Sequence, residues 1–264
     1  MEKKSEKKHF VLVHGFCHGA WCWYKLVNML KSNGDHQVST VDLGSCGIHP
    51  KRLDEISSIS EYVQPLMDFM VSLPDDERVV LVGHSYGGIP ISLAMERFPE
   101  KISVAVFITA YMPNCQDPPA TLIQEYFKRC SIQSLMDSKF TLDQRRENLP
   151  ISAIFGPDYM TAKVYKGCQI EDLELAKMLI RPNKLFIDEL SEKSLLTQGK
   201  YGAVRRVYIK CEGDEVLEAD FQSCINERSP PNEVISIEGA GHMVMLSKTH
   251  DLCLCLKKIA VKYR

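Results

Sequence analysis

The sequence lacks any apolar run near the roughly 20 residues that a membrane span needs. Met1 to Lys8 is polar and basic, so a secretory leader is not expected. No sign of charge dominates: 32 Lys and Arg stand against 34 Asp and Glu, a formal net charge of -2. Nucleic acid and anionic membranes are therefore not expected as partners. There is no internal repeat and no low-complexity stretch. Cysteine is not scarce, with ten residues, but zinc spacing is absent: no paired C-x-x-C units and no His/Cys cluster occur. No metal is expected. Cys17, Cys22, Cys211 and Cys255 lie in or beside apolar segments, where free thiols pack as small hydrophobes. The expectation is a reduced, cytoplasmic protein with residues 1–8 as a solvated, disordered tail.

What is present fits one α/β domain over residues 9–264. The chain has 264 residues, 45% hydrophobic and 25% charged, enough to bury a core without a disulfide or metal staple. Short β runs alternate with helical stretches. Strands are predicted at His9–Val13, Gln37–Leu43, Val79–Val82, Ile102–Ala110, Val204–Cys211 and Val234–Ile237. Helices are predicted at Ala20–Leu30 (closed by Asn33-Gly34), Ile59–Val71, Tyr86–Phe98, Ala219–Asn226 and Leu246–Val261. Strands that are near-continuous apolar runs, each followed by a helix, indicate a parallel sheet covered on both faces. Between about residues 112 and 184 prolines multiply and the predicted helices shorten, which reads as a helical cap inserted over that sheet.

The chemistry centres on Gly83-His84-Ser85-Tyr86-Gly87, a G-x-S-x-G between a predicted strand and a predicted helix. Such a motif alone arises by chance in roughly one chain in ten of this length, given glycine at about 7% of residues. The strand before it and the helix after it change that balance. In this context Ser85 occupies a sharp turn that lifts its hydroxyl above the sheet, and Gly83 and Gly87 leave room for it. A serine hydroxyl needs a base to take its proton. His9, His14, His18, His36, His49 and His84 precede the last predicted strand. Only His242 and His250 follow it. His242 sits in the small-residue loop Glu238-Gly239-Ala240-Gly241, which can carry an imidazole over the sheet; His250 falls in the terminal helix pattern and reads as a surface residue.

The acid that orients the base should follow the preceding strand. Glu212, Asp214 and Glu215 all qualify by position, and Asp214, after Gly213 in a short turn, is favoured. An oxyanion hole needs two backbone N–H groups. The residue after the nucleophile, Tyr86, offers one. The loop after the first strand offers the other, with Phe16 the best candidate. His14 and Gly15 read as shaping that turn, and His18 reads equally as structural or substrate-facing.

The segments H-F-V-L-V-H-G-x-C-H-G-A-W-x-W-Y-K-L, G-H-S-Y-G-G, E-K-I-S-V-A-V-F, E-D-L-E-L-A-K-M-L-x-R-P and G-H-M-x-M-L resemble the plant methylesterase family of α/β-hydrolases. That family includes salicylate and jasmonate methylesterases, polyneuridine aldehyde esterase and the related hydroxynitrile lyases. The resemblance runs from about His9 to the C-terminus. It implies a serine esterase that cleaves small methyl esters under a helical cap without a cofactor. It also implies a triad of Ser85, Asp214 and His242, with Phe16 and Tyr86 as oxyanion donors. Dimers occur among similar enzymes, so a homodimer is an expectation of the same origin.

The departures bear on specificity. Lyases similar to the rubber-tree enzyme carry Thr at the position of Gly15 and Lys at the position of Met243; without that lysine a leaving cyanide has no cationic partner. A non-catalytic receptor on the same fold is a further alternative, opposed by the complete triad. The salicylate-binding relative has a cap tryptophan within the stretch matching Ser134–Asp137. Here Leu135 and Met136 stand there, which favours a bulkier or terpenoid-derived ester over a flat aromatic one. Gly241 replaces a common Asp, and Thr141–Pro150 departs from the family pattern.

Overall fold

The computed structural model describes residues 7–32, 36–143 and 149–263. Asn33-Gly34, most of the N-terminal tail and the middle of Thr141–Pro150 lie outside the described residues.

Six strands form the main sheet: β1 (His9–Val13), β2 (Gln37–Val41), β3 (Val79–His84), β4 (Ile102–Ile108), β8 (Arg206–Cys211) and β9 (Glu233–Ile237). Their order is β2-β1-β3-β4-β8-β9, and every pairing is parallel. Alternate side chains feed opposite faces, as the pleat requires. Val11, Val13 and Leu81 enter one core with the helices Ile59–Ser72 and Gly88–Arg97. Phe10, Leu12, Val80 and Val82 enter the other with Tyr24–Lys31 and Thr249–Lys262. Each such fully buried side chain contributes about 1.5–3 kcal/mol relative to exposure.

Local chemistry trims the predicted elements. Helix and strand do not meet directly at the serine: β3 runs on to His84, a single 3₁₀ turn covers Ser85–Gly87, and the α-helix starts at Gly88. The first predicted helix likewise opens with a 3₁₀ turn, Ala20–Trp23. The last is broken into Val244–Ser247 and Thr249–Lys262. The helix Ile59–Ser72 is capped by the Ser58 hydroxyl, which accepts from the Glu61 N–H. At its other end the buried Lys101 ammonium donates to the carbonyls of Met70 and Leu73, at 3.2 and 2.8 Å.

The segment between β4 and β8 contains the helices Ala120–Arg129 and Ile170–Leu179. It also holds a small antiparallel sheet that periodicity did not reveal: β5 (Lys139–Asp143), β6 (Leu149–Ile154) and β7 (Asn183–Lys184), in the order β5-β6-β7. The insertion is therefore not purely helical. Pro150 lies in β6, against expectation for a strand, but it sits beside a register shift opposite Thr141–Leu142. The far end of the insertion is tied to the loop after β2. The Arg181 guanidinium donates to the carbonyls of Gly47, His49 and Lys51 at 3.2, 2.8 and 2.9 Å.

At Gly87, in the 3₁₀ turn after β3, and at Gly88, which follows it, the packing leaves no space for a side-chain carbon. A Cβ on Gly87 would lie 2.5 Å from the His14 carbonyl oxygen, and one on Gly88 would lie 2.0 Å from that of Tyr111. Gly88→Ala is expected to cost about 1–3 kcal/mol through this backbone clash. That is a fall in melting temperature of about 2–4 °C per kcal/mol, readable by calorimetry.

Candidate active site

In a parallel sheet the crevice at the carboxyl ends of the strands opens where neighbouring connections run in opposite directions. Here that point lies between β1 and β3, since β1 is flanked by β2 on one side and β3 on the other. The loop after β1 carries Phe16, and the turn after β3 carries Ser85 and Tyr86. The loops after β8 and β9 bring Asp214 and His242 to the same edge.

Ser85 has φ +54°, a left-handed conformation that is strained for a non-glycine residue. Its carbonyl accepts from the Tyr111 N–H at 3.1 Å, which helps to hold the turn. The Tyr86 N–H lies in the first helical turn, where no intrahelical acceptor is available. Phe16 packs edge-on against the Tyr86 ring, with centroids 5.5 Å apart. The two candidate oxyanion donors thus come from adjacent segments.

Asp214 and His242 are both buried, and His242 Nδ1–H donates to Asp214 Oδ2 at 2.8 Å. The remaining capacity of the carboxylate is filled. Thr109 Oγ1 donates to the same oxygen at 2.5 Å, while Oδ1 accepts the N–H groups of Val216 and Leu217 at 2.7 and 3.1 Å. With Oδ1 held by two main-chain donors, Oδ2 is left facing the imidazole. Thr109 was not found from the sequence. It follows β4 at φ +36°, and a single threonine at a strand end gives no local signal of a partner 105 residues away. Of the other acids, Glu212 is exposed and Glu215 pairs with Lys166. Among the described residues no hydrogen bond of 3.5 Å or less joins the Ser85 hydroxyl to His242. The segments that carry them are joined by the side chain of His84, whose Nε2–H donates to the His242 carbonyl at 2.9 Å.

Three further buried histidines surround the site, and burial opposes a charge on each of them. His14 donates from Nδ1 to the Gly15 carbonyl and accepts the Leu43 N–H at Nε2. His18 donates from Nδ1 to the Phe16 carbonyl at 2.7 Å and accepts from the Tyr165 hydroxyl at Nε2. Burial pushes the His18 imidazole down to about 3, and burial lowers His14 and, further, His84. Both His18 nitrogens are occupied by protein, so His18 shapes the Phe16 turn rather than facing a ligand. His250 is exposed, beside Asp251. Among the described residues no disulfide joins any of the ten cysteines.

Ser85 opens on a largely apolar chamber. Eight aromatic side chains line it: Phe16, Tyr86, Tyr111, Tyr126, Phe127, Phe140, Phe155 and Tyr159. Leu135, Ala153, Leu185, Val216 and Leu217 complete the apolar wall, and no charged side chain contributes. Leu135 therefore does face the chamber, as its place in the cap suggested. Met136 does not line it and is 47% exposed. Met243 is fully buried in the core on the other face of the sheet.

The chain matches the alpha/beta hydrolase family over residues 10–253. It is 50% identical to methyl jasmonate esterase 1 of Vitis vinifera, covering 100% of both chains. It is 49% identical to methylesterase 10 of Arabidopsis thaliana, over 99% of this chain and 94% of the relative. The solved structure of polyneuridine aldehyde esterase superposes with a TM-score of 0.91 at 46% identity, over 97% of this chain and 100% of that one. With its parallel sheet and its serine turn, this chain belongs to the alpha/beta hydrolase family and, within it, to the plant methylesterases, which are carboxylic ester hydrolases.

Proposed function

We propose that the protein hydrolyses the methyl ester of a small, uncharged plant metabolite through an acyl-enzyme, with Ser85 as nucleophile, His242 as general base and Asp214 as the acid that orients it. One observation carries the reading. The Asp214–His242 pair, at 2.8 Å, stands on the sheet edge that holds the left-handed Ser85, and Ser85 opens on an aromatic chamber.

The Ser85 hydroxyl attacks the ester carbonyl carbon while His242 Nε2 takes its proton. The contact closes in the substrate complex, as catalytic hydrogen bonds commonly do. The N–H groups of Phe16 and Tyr86 receive the developing oxyanion, and Asp214 stabilises the imidazolium through Nδ1–H. The carbon–oxygen bond to the leaving group breaks, and His242 returns the proton so that methanol departs. Water, deprotonated by His242, attacks the acyl carbon, releasing the carboxylic acid and restoring Ser85. If the acyl group carries a β-oxo or β-formyl function, the freed acid loses CO₂ with no further protein group.

The uncharged, largely aromatic lining favours an apolar acyl group. The names of methyl jasmonate esterase and polyneuridine aldehyde esterase make a jasmonate-type or alkaloid ester the first compounds to try. A lyase reading has no support at Met243, which is apolar and buried where a cationic partner for cyanide would be needed. Ten cysteines with no disulfide among the described residues suit a reducing compartment such as the cytoplasm. Among the described residues no helix is long and apolar enough to cross a membrane.

Ser85→Ala is expected to abolish methanol release from every ester the wild type cleaves; a surviving rate would remove Ser85 from the mechanism. Asp214→Asn should lower kcat by about 10⁴-fold, because the imidazole loses its orienting acceptor. Thr109→Val should lower kcat by about tenfold with little change in KM, since one hydrogen bond to a charged group contributes about 1.5–3 kcal/mol. A diester-derived monomethyl ester with a free carboxylate should show kcat/KM at least about 100-fold below its neutral dimethyl counterpart, as an unpaired charge is costly to bury. Equal rates for the two would contradict the uncharged chamber.

A further inference from the structure

Three features compete for a further role: the paired hydroxyls of Tyr126 and Tyr159, the exposed apolar side chains of the helix Ile170–Leu179, and the histidine that precedes the nucleophile. The tyrosine hydroxyls lie 3.3 Å apart and satisfy one another. Nothing in the structure shows what would cover Ile170 and Met178. His84 is different. It is a completely buried imidazole with Nε2 engaged and Nδ1 without a partner, next to the base itself.

The geometry around it is specific. His84 Nε2–H donates to the main-chain carbonyl of His242 at 2.9 Å, and the two rings lie 4.7 Å apart. The other face of His84 meets Trp23 edge-on at 6.2 Å. Its Nδ1 lies against Gly15, where a Cβ would approach it to 3.0 Å. The ring thus meets the loop after β1, Trp23 and the loop of the base. The loop of the base, Glu238 to Met243, contains Gly239, Ala240 and Gly241 and has little stiffness of its own. Besides the Asp214–His242 bond, two hydrogen bonds tie it to neighbouring loops. The Gly213 N–H donates to the Ala240 carbonyl at 2.9 Å, tying it to the loop of Asp214. The His84–His242 bond ties it to the nucleophile turn.

We infer that His84 is a positioning residue for the base: its Nε2–H, held on the His242 carbonyl, sets the reach of the imidazole toward Ser85. The inference rests on the esterase reading above. Asp214 fixes the orientation of the His242 ring, and His84 fixes where the backbone of that ring stands relative to the next residue in sequence, Ser85. The same bond assigns the His84 proton to Nε2. Neutrality is required for the role, because a cation 4.7 Å from the base would oppose the imidazolium that forms during the reaction. The titratable groups acting on His84 are His242, His18 and His14, and burial together with His242 holds it well below the ordinary histidine range. His14 and His18 are lowered as well. The acid limb of kcat/KM should therefore reflect one proton, not two.

The test compares His84→Gln, whose amide can keep the donor, with His84→Leu, which cannot, in the full chain with p-nitrophenyl acetate as a neutral activated ester. The expected result is a kcat within about threefold of wild type for His84→Gln. For His84→Leu it is a kcat lowered about 30-fold or more, with KM within about twofold and an acid limb of unit slope throughout. Full activity in His84→Leu alongside an inactive Ser85→Ala overturns this inference alone. A wild-type rate no greater than that of Ser85→Ala overturns the esterase reading and this inference with it. Equal impairment of the Gln and Leu variants also overturns it. If His84→Leu does not fold, ¹⁵N-histidine spectra of the wild type decide. A protected Nε2–H and no titration of His84 between pH 5.5 and 9 support the role, and a titrating or Nδ1–H ring refutes it.

Discussion

The close approach of the Ser85 turn to the strands beside it is the constraint on which the rest of the site depends. A left-handed serine does not persist unaided, because such a conformation costs about 1–3 kcal/mol. Here it is over-determined. Gly87 lies under the His14 carbonyl, Gly88 lies under that of Tyr111, and the Tyr111 N–H binds the Ser85 carbonyl. The glycines act by omission, since any side-chain carbon at these positions would push the helix Gly88–Arg97 away from β1 and β4. With the turn held, the Tyr86 N–H, the Phe16 loop and the Ser85 hydroxyl converge at the point where the sheet's connections diverge.

Around that turn the electrostatics are arranged by burial rather than by charge. His14, His18 and His84 each carry one ring proton on a main-chain carbonyl, and burial opposes a second. Four imidazoles then lie close together, and only His242 also has a carboxylate partner, Asp214. That carboxylate is buried but not isolated, with four donors on its two oxygens. The chamber beyond is lined by aromatic and aliphatic side chains with no charged group, a lining that matches the neutral ester proposed above. The product is an anion, for which such walls are a poor host.

The fold was legible because parallel strands buried on both faces leave apolar runs such as Phe10–Val13 and Val79–Val82, and helices leave their own spacing. Boundaries were less legible. The turns at Ala20–Trp23 and Ser85–Gly87 share composition with the helices they precede, and only hydrogen bonding separates 3₁₀ from α. The small sheet of the insertion was not legible, because β5 and β6 are short, partly exposed and interrupted by Pro150 and so carry little alternation. Asp214 could be ranked above Glu212 and Glu215 only weakly from position. Its hydrogen bond to His242 separates it from them, as Glu212 points to solvent and Glu215 to Lys166.

By itself the chain determined the order of strand and helix, the G-x-S-x-G turn, and the single histidine placed in a small-residue loop after the last strand. These are local properties, set by pattern and by the sterics of a few neighbouring residues. Tertiary structure alone decided that Thr109 serves Asp214, that His18 is spent on Tyr165, that Leu135 rather than Met136 faces the chamber, and that His84 holds the His242 backbone. Each of these pairs residues far apart in the chain, and the distance between them is set by sheet order and packing, which no short stretch of sequence encodes.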